Sequence, residues 1–325
     1  MKVGIYGAGA IGGWIGARLG LDGHRVSVVA RGATLDALRT HGLRLIDGGN
    51  TRSVAVDASD DPAALGPQDV VVVAVKAPAM AAVAAGIGPL LGEHTVVVTA
   101  MNGVPWWFCA GLGPTLAHTR LESVDPDGAI AAAIPAARTI GCVVHASCLQ
   151  DAPGVIRHHL GNGLILGEAS ISGVSERLTQ LAGALSSAGF DVECSEQIQR
   201  DIWFKLWGNM TMNPVSALTG ATTDRVLDDE LVRAFATSVM REAAEIGRRI
   251  GIPIDQDPDE RHKVTLRLGA MKTSMLQDVL ARKPVEIDAL VSAVRELGQV
   301  TGVPTPFTDA LLGLSRLHAR TLGLY

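Results

Sequence analysis

Lys2-Val3-Gly4-Ile5-Tyr6-Gly7-Ala8-Gly9-Ala10-Ile11-Gly12-Gly13 opens the chain and decides how its first half folds. Val3 and Ile5 suit a buried parallel strand, and Ile11 to Leu21 reads as the helix that follows it. Between them Gly7, Gly9 and Gly12 keep the G-x-G-x-x-G spacing, each with its own task. Gly7 permits a tight turn, Gly9 lets a pyrophosphate approach the backbone, and Gly12 lets the helix pack closely on the sheet. The pyrophosphate would meet unpaired helix N–H groups and the positive end of the helix dipole. Strand, turn and helix in this order predict a dinucleotide site on Gly7, Ala8, Gly9, Ala10, Ile11 and Gly12.

The next strand, His24 to Arg31, decides which dinucleotide. A site for NAD places Asp or Glu at the end of this strand to hold the ribose 2′-OH. Here Ala30 takes that place and Arg31 follows. A guanidinium pairs with a 2′-phosphate where a carboxylate would repel it. The bland alternative is a solvated loop cation; the reading adopted is NADPH/NADP.

The chain has 325 residues, more than one core usually holds, so two domains are expected. Its richness in Ala, Val and Gly and its few aromatics suit a buried parallel sheet under small-residue helices. A formal charge of −5 gives no footprint for nucleic acid or an anionic membrane. Cys109, Cys142, Cys148 and Cys194 are too scattered for a zinc motif and too few to staple the chain, so no metal is expected. The apolar run at 2–21 reads as the nucleotide turn, and Val70–Ala85 is broken by Lys76 and Pro78. The expected location is therefore cytoplasmic.

Further along, Leu35–Thr40 reads as helix, and Leu43–Ile46 and Ser53–Val56 as short strands. Val70–Lys76 and Thr95–Thr99 read as central parallel strands, which deliver Lys76 and Asn102 at the carboxyl ends where a doubly wound sheet binds its ligands. Residues 129–168 predict an antiparallel extension, followed by a helix at Leu178–Ala188 and a strand at Asp191–Cys194. From Glu196 the pattern is helical, with an apolar stripe at Ile198, Ile202, Leu206 and Met210 and amphipathic runs over 229–250, 258–282, 286–300 and 306–320. The expected domains are 1–195, binding the dinucleotide, and 196–325, binding the substrate.

Lys205, Asn209 and Asn213 recur at i, i+4 and i+8, so they stack on one side of a single helix amid Trp203, Phe204, Leu206, Trp207 and Met210. Asn and the intervening Gly208 are poor helix formers. Such a stripe reads as the lining of a ligand cleft, against the alternative of an exposed polar face. Pro214 is expected to end or kink this helix. A second polar cluster runs from Lys272 to Asp278 and on to Glu286 and Asp288. Glu286 is equally explained as a carboxylate near a helix N-terminus.

These residues together resemble the ketopantoate reductase (2-dehydropantoate 2-reductase) family, over nearly the full length. The matching pieces are Gly7–Gly12, Arg31, Lys76, Asn102-Gly103, Pro153 to His158 leading to Gly161-Asn162-Gly163, Lys205-Leu206 with Asn209 and Asn213, and Lys272–Asp278 with Glu286-Ile287-Asp288. The resemblance implies an α/β Rossmann N-terminal domain and an all-helical C-terminal domain of 6-phosphogluconate-dehydrogenase-like architecture, with the active site between them. It implies NADPH-dependent reduction of a 2-oxo acid, 2-dehydropantoate to pantoate in pantothenate biosynthesis, and leaves assembly open between monomer and homodimer. Lys205 and Glu286 fall on the catalytic positions; Asn209, Asn213 and Ser274 on substrate positions; Asn102 near both nicotinamide and substrate; and Arg31 and Lys76 beside the cofactor.

One departure is Val104-Pro105-Trp106-Trp107-Phe108 after Asn102-Gly103, where the family has a further glycine and a polar helix. This aromatic segment either packs internally or reshapes the substrate pocket. The competing readings are a reductase for a different, bulkier 2-oxo acid, a dehydrogenase of the 3-hydroxyacid or 6-phosphogluconate type, and a non-catalytic NADP-binding regulatory protein.

Overall fold

Val3 and Ile5 are wholly buried because β1 (Lys2–Tyr6), which carries them, lies inside a parallel sheet. The computed structural model describes every residue from Met1 to Tyr325. β1 pairs with β2 (Arg25–Val29) on one side and β6 (Gln68–Val73) on the other, with Val3 opposite both Val26 and Val70. β5 (Asp57–Ser59) extends the parallel order beyond β2, and β7 (Leu91–Thr99) and β8 (Thr139–Ala152) extend it beyond β6. α1 (Ala10–Leu21) and α2 (Gly32–His41) complete the first crossovers. Buried on both faces, these strands are apolar without alternation, as in the run Val70–Val73. β6 stops at Val73, short of the expected Lys76, because Lys76 already leads into a 3-10 turn with Pro78 in its first positions.

The antiparallel extension expected over 129–168 is the long hairpin of β8 and β9 (Val155–Glu168). β9 also pairs in parallel with β3 (Leu43–Asp47) and with β10 (Asp191–Cys194), while β4 (Asn50–Val54) closes that edge antiparallel to β3. The ten-stranded order is β4-β3-β9-β8-β7-β6-β1-β2-β5, with β10 beside β9. Short helices α3 (Met80–Gly86) and α4 (Ala129–Ala133) and the longer α5 (Glu176–Ser187) fill the remaining connections.

A polar and aromatic cluster fastens the hairpin to α1. Trp14 stacks on His158 at 5.4 Å and meets the edge of Phe190 at 4.7 Å. The Arg18 guanidinium lies 5.3 and 5.2 Å from the Trp14 and Phe190 rings, donates to Asp47 at 3.0 Å and to the Gly189 carbonyl at 2.7 Å. His158 Nδ1 faces the other Asp47 oxygen at 3.1 Å. Burial alone would raise the Asp47 carboxyl, but the hydrogen bonds from His158 and Arg18 outweigh it and hold the carboxyl below its usual value.

The helical unit begins with α6 (Ile198–Thr219) and continues through α7 (Thr223–Asp228), α8 (Glu230–Arg249), α9 (Pro258–Leu266) and α10 (Ser274–Leu280). A π-helical turn at Asp288–Ser292 leads into α11 (Ala293–Thr301), and α12 (Pro306–Thr321) ends the chain. Glu242 of α8 caps α12, its carboxylate accepting from the Phe307 and Thr308 N–H groups at 2.9 and 2.8 Å. The expected stripe Ile198, Ile202, Leu206 and Met210 is buried. Pro214 neither ends nor marks the limit of α6, which runs five residues further. The single run expected over 258–282 is two helices, because Gly269 turns the chain at φ +65° and Thr273 caps a new start by accepting from the Leu276 N–H at 3.2 Å. No helix of the chain is long and apolar enough to cross a membrane.

The two compact units differ from the expected division at 195/196. One comprises Met1–Met101 with Gly128–Ile198, and the other Asn102–Asp127 with Gln199–Tyr325. The excursion 102–127 belongs to the helical unit because its aromatic segment is core there: Trp106, Trp107 and Phe108 are all buried, and Phe108 meets Trp203 of α6 with ring centroids 5.9 Å apart. Its far end is held by Glu296 of α11, whose carboxylate accepts from the N–H groups of Glu122 and Ser123 at 2.7 and 3.0 Å.

Trp107→Ala should cost about 3–5 kcal/mol of unfolding free energy, as for other large aromatics removed from a core, measurable by urea denaturation. An unchanged midpoint would show that the segment is no core element. For Asp47, a carboxyl depressed in the native state stabilises above its unfolded pKa of about 3.9 and ceases to do so as pH falls through the folded value. Asp47→Asn should therefore lower the melting temperature at pH 7, and the gap to the parent should close as pH drops from about 5 to 2. A gap independent of pH would remove the carboxylate from the account.

Candidate active site

The carboxyl ends of β1, β2 and β6 lie side by side, because the three strands are parallel neighbours. Each is followed by one of the expected cofactor residues. After β1 the chain turns through Gly7 at φ +101° and enters α1 with Gly9 as its cap. A side chain at Gly12 would put its Cβ 2.1 Å from the Gly7 carbonyl oxygen, so the helix start packs against its own turn. Around Gly9 there is open space. No side chain caps α1 and no acidic residue stands in its first turn. Its first N–H groups are thus left for an anion, which fits a dinucleotide pyrophosphate.

After β2, Ala30 donates its N–H to Ser59 and Arg31 stands exposed at the start of α2. Burial raises the Tyr6 hydroxyl while the Arg31 charge opposes the rise, which sets the guanidinium within electrostatic reach of the end of β1. Lys76 follows β6 by three residues. A cation in place of a carboxylate at the end of β2 fits a phosphorylated ribose.

The remaining expected residues all lie in the helical unit. Lys205, Asn209 and Asn213 share one side of α6, as their spacing requires. Lys205 Nζ donates to Asn102 Oδ1 at 3.0 Å. Asn102 is positioned by the residue after it: Gly103 has φ +81°, and a Cβ there would lie 2.5 Å from the Ala289 carbonyl oxygen. That same oxygen accepts from the Val104 N–H at 2.8 Å. The Leu290 N–H in turn bonds to the Glu286 carbonyl, so the loop 102–104 rests on the turn that Glu286 begins. Asn102, Lys205 and the Glu286 turn are thereby assembled from three distant stretches of sequence. At the other end of the stripe, Asn213 is buried and its Nδ2 donates to Ser274 Oγ at 3.4 Å. Asn209 is partly exposed between the two pairs.

Arg261 of α9 packs against α6, an approach that sequence reasoning missed. Its guanidinium lies 5.1 Å from the Phe204 ring and directly over Gly208, where an added Cβ would approach its Nε to 3.0 Å. The only sequence signal was Gly208 itself, a helix-weakening residue between Lys205 and Asn209. Burial, first of all, pushes the Cys109 and Cys148 thiols up to about 12 and raises Cys194, the opposite of what an activated thiolate needs.

Two family models cover most of the chain: Ketopantoate reductase PanE/ApbA matches residues 3–170, and Ketopantoate reductase PanE/ApbA C terminal matches 197–319. The chain is 47% identical to a 2-dehydropantoate 2-reductase of Mesorhizobium japonicum over the whole of both proteins. A solved structure from Ralstonia solanacearum MolK2, described as a candidate ketopantoate reductase, is 60% identical, covers 100% of this chain and 99% of that one, and superposes with a TM-score of 0.96. The 2-dehydropantoate 2-reductase of Methylococcus capsulatus is 26% identical with a TM-score of 0.84, covering 99% of this chain and 98% of its own. With a glycine turn built for a dinucleotide in one unit and a lysine–asparagine pair in the other, following the family's order along the sequence, the chain belongs to the ketopantoate reductase family and is an enzyme, a nicotinamide-dependent oxidoreductase.

Proposed function

We propose that the protein reduces a 2-oxo acid with NADPH, and that the acid is 2-dehydropantoate, giving pantoate. The observation that carries this reading is the Lys205–Asn102 hydrogen bond of 3.0 Å. An amide oxygen holds an ammonium in place without neutralising it, so the positive charge stays available for an oxygen that becomes negative. When bound, the reduced nicotinamide supplies hydride to C2 of the acid. Lys205 takes the developing C2 oxygen as a hydrogen-bond acceptor and gives it a proton. Glu286 is assigned the second catalytic position, its carboxylate supporting the charge of the ammonium. Asn102 keeps the ammonium aimed, and Asn209, Asn213 and Ser274 take the polar tail of the substrate with groups that do not titrate. Gly7, Ala8, Gly9, Ala10, Ile11 and Gly12 present backbone to the pyrophosphate, Arg31 takes the 2′-phosphate, and Lys76 adds a cation beside it.

The test is NADPH oxidation followed with 2-dehydropantoate and with bulkier 2-oxo acids. Turnover highest with 2-dehydropantoate supports the assignment; turnover highest with a bulkier acid moves the substrate, and turnover with none removes the function. Lys205→Ala should retain cofactor binding and lose about 10²-fold or more of kcat, the usual worth of a positioned proton donor. A rise in KM alone would make Lys205 a ground-state binding residue. Arg31→Ala should weaken NADPH at least about tenfold, or roughly 1.4 kcal/mol, with NADH nearly unchanged in a fluorescence titration. Equal losses for both cofactors would take the 2′-phosphate from Arg31.

A further inference from the structure

α12 stops in a sequence built to reverse direction, Leu322-Gly323-Leu324. Gly323 takes φ +69° and donates its N–H to the Arg320 carbonyl at 3.0 Å, while the Leu324 N–H reaches back to the Ala319 carbonyl at 2.8 Å. These two bonds make a left-handed glycine stop, in which the residue after the glycine commonly packs its side chain back on the helix. Leu324 is buried accordingly. The stop turns the following backbone and Tyr325 onto the stretch that carries Glu286.

Two hydrogen bonds make that contact. The Leu324 carbonyl accepts from the Val285 N–H at 3.2 Å, and the Tyr325 hydroxyl donates to Asp288 Oδ1 at 2.8 Å. Val285 stands just before Glu286 and Asp288 just beyond it, so Glu286 is bracketed by the two bonds. Ser292 Oγ donates to the same Asp288 oxygen at 2.7 Å, and the Asp288 carbonyl accepts from the Ala293 N–H across the π-helical turn. Such turns are rare and recur at functional sites. Burial first, and then the Asp288 carboxylate, raises the Tyr325 hydroxyl, so it keeps its proton and stays a donor. The Arg320 guanidinium lies 5.3 Å from the Tyr325 ring and steadies it. On the same turn the Ala289 carbonyl holds the Val104 N–H, and with it the loop of Asn102 and Lys205.

We propose that Tyr325 is a positioning residue for the reaction: through Asp288 its hydroxyl holds the π-helical turn, so that Glu286 and the Asn102–Lys205 pair keep one common geometry. The proposal rests on the assignment of Glu286 and Lys205 above. Neither Tyr325 nor Asp288 touches substrate in that assignment; both act through the backbone they hold. Displacing a catalytic group by about 1 Å is enough to cost up to about 10²-fold in rate. The hydroxyl of an exposed ring contributes far less to the stability of the fold.

The experiment uses the whole enzyme and Tyr325→Phe, which keeps the ring beside Arg320 and removes only the hydroxyl. Its kcat should fall about tenfold, inside the range that misplacement allows, with KM and the affinity for NADPH unchanged. Asp288→Ala removes the acceptor, so adding Tyr325→Phe to it should lower kcat no further. Hydrogen–deuterium exchange should quicken in Tyr325→Phe at residues 285–292 and at the Val104 amide, and stay as in the parent along α8. A kcat equal to the parent's, or losses that add in the double variant, would make Tyr325 a packing residue and overturn the proposal. Unchanged exchange at the turn would overturn it as well. A parent enzyme that oxidises no NADPH with any 2-oxo acid, or a Glu286→Gln variant with full kcat, overturns the functional assignment instead, and the exchange measurement still decides whether Tyr325 holds the turn.

Discussion

The hydrogen bond between Lys205 and Asn102 joins two stretches of chain that are 103 positions apart, and the rest of the helical unit is arranged so that it can form. Asn102 can reach α6 only because Gly103 tolerates both a positive φ and near-contact with Ala289. Ala289 lies on the π-helical turn that Glu286 leads into, so the backbone geometry of that turn and the aim of the ammonium are set together. Trp106, Trp107 and Phe108 then bury themselves and hold the loop down. What looks like a decorative aromatic run is the anchor of the asparagine.

Two groups of arginines in this protein contrast. Arg18, Arg177 and Arg249 are paired with Asp47, Glu168 and Glu245, and each ties one structural element to another or completes a helix turn. Arg31 and Arg261 pair with no carboxylate; one stands at the end of a strand and the other leans on an aromatic ring. An arginine cannot shed its proton to escape such a position. The first set contributes to the fold through its partners, whereas the other two keep their charge without a carboxylate from the protein.

The periodic features could be read without a structure. The strand and glycine turn at the N-terminus, the β-branched run at Val70, and the i, i+4, i+8 stripe on α6 each follow from a local repeat, and each lies where that repeat puts it. The allegiance of residues 102–127 could not be read, because burial of Trp107 against one unit or another leaves no mark on its neighbours in sequence. Pro214 does not end α6, because a proline forfeits one backbone bond, a loss that the buried flanks of α6 outweigh. Arg261 was invisible for a related reason. It reaches α6 from a helix more than fifty residues away, and only the gap it needs, Gly208, is written beside Lys205.

The helical unit is assembled from two separate pieces, and this gives the chain a history as it leaves the ribosome. Phe108 emerges 95 residues before Trp203, the ring it packs against, an interval of roughly 5–20 s at ordinary rates of synthesis. During that interval β8, β9 and β10 are still being made, and Trp106, Trp107 and Phe108 wait without the α6 ring that Phe108 packs against. The nascent chain therefore carries an apolar loop ahead of its core, and α6, the first long helix made after the sheet, begins to cover it.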